Sequence, residues 1–148
     1  MLARFLQVSL LILVTTAIHG AATSALMRLT DRFGDRFRAG ELAGLRRVFV
    51  PLLVLAMLLV SLFEACLWGW YYWVTGLIAS FLDSVYFSLI TMTTVGYGDI
   101  TLAGSGRTAS GMQAALGIVL FGWTTAIIFM AVQAVHVSAK EPAKPGPS

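Results

Sequence analysis

The sequence predicts an all-α membrane protein with three transmembrane helices. Two observations carry this. Hydrophobic residues fill 58% of the 148 positions and charged residues only 11%, where a soluble domain carries roughly a quarter charged residues. The few charges are also segregated, leaving long apolar stretches between them. The formal net charge of +3 does not read as a nucleic-acid footprint. The arginines sit beside the apolar runs, where they set membrane topology.

Between Arg4 and Arg28 no Asp, Glu, Lys or Arg occurs for 23 residues. At about 1.5 Å per residue, a helix of that length crosses a ~30 Å apolar core. A first transmembrane helix is therefore predicted over 5–27. Residues 28–47 are polar and basic, with six arginines against Asp31, Asp35 and Glu41. The second apolar run starts at Val48 and ends in Trp68, Trp70, Tyr71, Tyr72 and Trp73, an aromatic group suited to a membrane–water boundary. Residues 74–106 are too broken for a further span. The last transmembrane helix is predicted over 108–135, within a run free of Asp, Glu, Lys and Arg from Thr108 to Ala139. The tail 138–148, with Pro142, Pro145 and Pro147, is expected to be disordered. Cys66 is the one cysteine, so no disulfide forms within the chain, and it is expected as a small packing residue.

Between the second and last runs lies Thr91-Met92-Thr93-Thr94-Val95-Gly96-Tyr97-Gly98-Asp99. This segment resembles the selectivity filter of the potassium channel family, matching Thr-Val-Gly-Tyr-Gly in full over Thr94–Gly98. The resemblance covers about residues 48–135, and the additional first helix looks like that of small bacterial members with three spans. It implies a pore domain over 48–137, preceded by an N-terminal helix and basic cytoplasmic loop over 1–47 and followed by a cytoplasmic tail. The implied fold is three transmembrane helices plus a re-entrant pore helix and a filter loop, assembled as a homotetramer. Potassium is then the permeant ion and no cofactor is required.

The residue types suit that chemistry. A potassium ion in a narrow pore exchanges its water shell for other oxygens, and rings of backbone carbonyls supply them. Carbonyls that point the same way in succession need unusual angles at alternate residues, and Gly96 and Gly98 permit positive φ at little steric cost. By resemblance, the carbonyls of Thr94, Val95, Gly96 and Tyr97 line the ion path, and the Thr94 hydroxyl adds an inner ring. Val95 and Tyr97 point away, Val95 against the pore helix and Tyr97 as a strut. Asp99 stands at the outer mouth, where its charge concentrates cations.

The pore helix is predicted over 81–93, with Ser80 and Asp83 spaced as an N-terminal cap and an acidic third position. Its C-terminal dipole end would face the ion cavity. Tyr86, Phe87, Ile90 and Thr91 are read as filter support. Two positions depart from the pattern of some relatives. Ile90 stands where these have a glutamate, and Phe87 where these have a tryptophan bonded to the filter tyrosine and aspartate. Phenylalanine has no N–H to donate, so Thr91 is the expected partner of the Tyr97 hydroxyl. In the last helix, Gly117, Phe121, Thr125, Phe129 and Gln133 recur every four residues and share a face, the expected wall of the inner cavity. Gly117 fits a hinge or close packing equally, while Gly111 and Gly122 fit packing.

Glu64 and His19 are ionisable groups within apolar runs, where such groups are functional candidates by default. Glu64 lies about 24 Å along its helix from Val48, which favours a structural hydrogen bond near the outer surface over a pH sensor. His19 is read in the same way.

The resemblance dips the pore loop from outside and leaves 28–47 and the tail in the cytoplasm. Eight of the ten Lys and Arg then fall inside, as the positive-inside rule requires. Arg4, the apolar run and the small residues Ala22 and Ser24 also resemble a cleaved signal peptide, but cleavage would put the arginine-rich segment outside. The expected protein is thus a multi-pass cell-membrane channel with its N-terminus outside. Segment 28–47 could also attract anionic lipid. Alternatives are a non-selective cation channel, against which Tyr97 argues, or a non-conducting membrane subunit that modulates a partner. A potassium transporter subunit would need four joined loops. No nucleophile–base pair or metal-ligand cluster points to an enzyme.

Overall fold

The computed structural model describes residues 2–38 and 43–136. Four helices follow in order: α1 Leu2–Arg38, α2 Ala43–Val74, α3 Phe81–Met92 and α4 Ser105–His136. Three contain segments long and apolar enough to cross a membrane, at Leu2–Phe33, Arg47–Val74 and Ser105–Ala134. No strand occurs among the described residues, so the protein is an all-α membrane protein. With 12 residues, α3 is only about 18 Å long and cannot cross. It packs between α2 and α4, while α1 lies against α4 and α2 and, among the described residues, its backbone does not approach α3.

α1 corrects the predicted boundary. It continues eleven residues beyond 27, so the segment expected as a basic loop is helical through Arg38, and α2 begins at Ala43 rather than Val48. The apolar run sets the thickness crossed, but nothing obliges a helix to stop where lipid ends. Its extension also has a packing partner. The Phe33 ring lies 5.6 Å from that of Phe49, in a small cluster with Leu53 and Ala131. The tail 138–148 lies outside the described residues.

The aromatic group at the end of α2 divides between two environments. Trp68, Tyr71 and Tyr72, at helical spacings of three and four, are buried in the main core. Trp70 and Trp73 are exposed on the opposite side. Only these two fit the boundary role that composition assigned to all five. Cys66, expected to pack, is exposed on the same helix.

α3 starts where it was predicted. The Ser80 backbone is extended, and its hydroxyl accepts the Asp83 N–H at 3.3 Å, satisfying one of the donors that every helix N-terminus leaves open. Two glycines let α3 approach its neighbours. A methyl group at Gly69 of α2 would fall 2.8 Å from the Val85 Cα. One at Gly117 of α4 would sit on the Met92 carbonyl. Gly117 is therefore a packing glycine in this structure. Gly111 and Gly122 have no such neighbour within 4 Å, so the packing expected of them is not made within the chain.

A buried amide ties the same three helices. Gln113 of α4 accepts the Tyr72 hydroxyl at 2.8 Å and donates to the Ser88 Oγ at 2.7 Å and the Ser88 carbonyl at 3.2 Å. Ser88 in turn donates to the Ala65 carbonyl at 2.7 Å. Removing one member leaves others buried without partners, at a cost of about 1–3 kcal/mol for a neutral group. Gln113→Ala should therefore lower the thermal midpoint of the purified protein by several degrees. An unchanged midpoint would show that the amide is not a structural tie.

Candidate functional site

The loop after α3 is the least ordinary backbone among the described residues. α3 is capped at Thr93, in a right-handed conformation with φ −80°. Thr94, Gly96 and Gly98 then have φ of 62°, 49° and 80°. Every second residue from 94 to 98 is thus left-handed. Gly96 and Gly98 match the alternation expected of them, and Thr94 extends it to a residue type that adopts positive φ only under strain. Around Gly96 and Gly98 nothing lies within 4 Å of where a Cβ would be. Their requirement for glycine comes from backbone angle and not from crowding.

Two hydrogen bonds shape the start of the loop. The Thr94 N–H donates to the Thr91 carbonyl at 3.0 Å, and the Gly96 N–H reaches back to the Ile90 carbonyl at 3.1 Å. Residues 93–99 are exposed throughout. Val95, expected against the pore helix, is 51% exposed, and the Tyr97 ring 73%. Within one chain, neither side chain has the packing expected of it. Beside the loop is an open cleft of about 710 Å³, lined by Phe87, Ile90 and Thr91 of α3 and by Arg107, Ser110 and Gly111 of α4.

The side-chain donor that reaches the loop is Tyr86, one of the residues read as support, and not Thr91. Phe87 is buried edge-on against Tyr72, with ring centroids 5.2 Å apart, and offers the loop no hydrogen bond. Tyr86 donates its hydroxyl to Asp99 at 2.7 Å. The link from helix to loop therefore runs from Tyr86 to Asp99, rather than from Thr91 to Tyr97. Ile90 is buried and Thr91 half-buried at the end of α3. On α4, Thr125, Phe129 and Gln133 are exposed along one face, Phe121 is half-buried, and Gly117 is buried beneath the end of α3.

Sequence reasoning took Glu64 and His19 separately. The structure joins them, with the His19 Nδ1 3.1 Å from the Glu64 carboxylate and both side chains fully buried. The structural hydrogen bond expected of Glu64 is thus made to a histidine of α1. Gln113 was not singled out at all. An amide in the middle of an uncharged run was the available signal, since such a group needs a partner in lipid.

The Tyr86 hydroxyl holds the Asp99 carboxyl below its ordinary value, with backbone N–H groups adding to the effect. A lowered folded value means that the contact stabilises the loop above the ordinary carboxylate range and is lost as pH falls through the lowered value. Tyr86→Phe should move the Asp99 titration to higher pH, followed by the carbon-13 shift of its carboxyl. An unmoved titration would show that the hydroxyl does not hold the charge.

The family model described as ion channel matches residues 52–134. That range covers α3, the whole left-handed loop, nearly all of α4 and most of α2. No curated protein and no solved structure matches the chain. With more than half of its length in that match, and with a half-membrane helix leading into an exposed loop of alternating backbone, the chain belongs to the ion channel family.

Proposed function

We propose that the protein is a potassium-selective channel subunit that works as a homotetramer and conducts K+ passively. The observation that carries this is the alternation of left-handed residues at Thr94, Gly96 and Gly98 within Thr-Val-Gly-Tyr-Gly. Alternating angles let successive carbonyls turn to one side, and a column of carbonyls replaces the hydration shell of a potassium ion. Thr94, Val95, Gly96 and Tyr97 supply these oxygens, Gly98 provides the last turn, and Asp99 attracts cations at the mouth. The C-terminal carbonyls of α3 point their dipole toward an ion below the loop. Thr125 and Phe129 line the inner cavity.

Vesicles containing the purified protein should pass potassium much faster than sodium. Gly96→Ala should abolish that flux, because alanine resists the positive φ required there. Selective flux from Gly96→Ala would remove the loop from the ion path, and equal sodium flux through the native protein would favour the non-selective reading.

A ring of carbonyls needs four loops, and each chain has one. Closed cyclic symmetry brings four copies of it to one axis. The exposed side chains of Val95 and Tyr97 and the open cleft beside the loop support a neighbour in that place. The arginine distribution supports an N-terminus outside and a C-terminus in the cytoplasm. Native mass spectrometry should give four copies, and protease added outside cells should remove an N-terminal tag. A conducting monomer or dimer would exclude the ring, and a protected tag would reverse the topology.

A further inference from the structure

The buried pair His19–Glu64 has no part in the loop, yet it joins all three membrane-crossing helices. The His19 Nδ1 meets Glu64 of α2 at 3.1 Å. On the other side of the ring, Nε2 meets the Thr124 hydroxyl of α4, also at 3.1 Å. The indole of Trp123 stands 5.4 Å from the imidazole, ring centre to ring centre. The neighbouring polar groups are occupied elsewhere. Thr15 accepts the Trp68 N–H and donates to the Leu11 carbonyl, and Thr23 donates to the His19 and Gly20 carbonyls. Among the described residues, no Lys or Arg pairs with Glu64 and no second carboxylate touches His19.

We propose that His19 is a proton-binding site through which α1 controls the inner helix α4. The chemistry follows from what each atom can do. With a neutral imidazole, Nδ1–H donates to the Glu64 carboxylate and Nε2 accepts the Thr124 O–H. When Nε2 takes up a proton from water, it becomes a donor and Thr124 must turn its hydrogen away to accept. With the Glu64 carboxyl ionised, proton uptake at Nε2 takes the pair from one net negative charge to an ion pair with none. The bond to Thr124 changes from neutral to charge-assisted, roughly doubling in strength. Threonine is suited to this place because its hydroxyl serves as donor or acceptor.

Thr124 also gives the site access and consequence. It is the one partly exposed member of the trio and lines a cleft of about 230 Å³ with Met92, Thr93 and Phe121, beneath the end of α3. A changed bond there alters how α4 is held against α1 and α2, so proton uptake at His19 changes the open probability of the pore. This rests on the channel reading above.

The test is single-channel recording of the full-length protein in planar bilayers between about pH 8 and about pH 5, the range in which histidine changes charge. Open probability of the native protein should change by roughly 5–150-fold on acidification, the span of ordinary coupling between sites. His19→Gln, which keeps hydrogen bonding without titration, and Thr124→Val should both flatten the response. Thr124→Ser should restore it. In a His136→Gln background His19 is the remaining histidine, and its nitrogen-15 NMR signals should report proton uptake over the same range, moved to lower pH in Thr124→Val, which lacks the acceptor. A conducting channel with a flat pH response, an unchanged response in His19→Gln, or His19 signals that do not move would each overturn the proposal. Absence of potassium current at every pH would instead refute the channel reading, and the coupling with it.

Discussion

Lipid hydrocarbon offers no hydrogen bonds, so a polar group carried into a membrane must find its partner within the protein. Most features of this chain answer to that constraint. Its backbone closes its own bonds in long helices. Several of its buried polar side chains are paired across helices. Trp68 donates to Thr15, Gln113 gathers Tyr72 and Ser88, and His19 takes Glu64 on one side and Thr124 on the other. Each pairing joins two or more helices. The requirement to satisfy polar groups thus also fixes which faces of the helices meet, where apolar packing against lipid-like neighbours is weakly selective.

The segment 93–99 is the exception, and its exposure gains meaning from the rule. Here backbone polar groups stand exposed, on a loop led into by a helix too short to cross. Such backbone is tolerated at membrane depth only when it is covered by protein or lines water. Strain at Thr94 agrees with this, since a β-branched residue with φ of 62° persists only where surrounding contacts impose it. Those contacts are visible. Thr94 and Gly96 are bonded back to the last turn of α3, Tyr86 grips Asp99, and α3 itself is pressed against α2 and α4 at Gly69 and Gly117.

Gly117 illustrates how one position can serve two readings in the sequence and one in the structure. A glycine in the middle of an apolar helix suits a hinge or a close approach. The neighbouring Met92 carbonyl decides for the approach, and it does so at the point where α4 supports the end of α3. The glycines that lack a neighbour, Gly111 and Gly122, carry the same local sequence signal. What separates the three is the position of another helix, which no local pattern encodes.

The all-α class, the three spans, the cap at Ser80 and the short α3 were legible from residue order alone. Each follows from local physics: charge-free run length against lipid thickness, a hydroxyl spaced to meet an open N–H, and glycine at alternate loop positions. Helix ends beyond the apolar runs were not legible, because α1 is extended by packing of Phe33 on Phe49 and not by hydropathy. The aromatic group of α2 was read as one belt, although its two faces meet different surroundings. At the site, Tyr86 was read as support together with Phe87, Ile90 and Thr91, but its bond to Asp99 was not foreseen, since the expected contact was Thr91 to Tyr97. Glu64 and His19 were each noticed and never paired, being 45 residues apart in sequence. Sequence determined which groups could not remain unpartnered in lipid; only the tertiary structure decided which partner each one took, because partners are chosen by the faces that packing brings together.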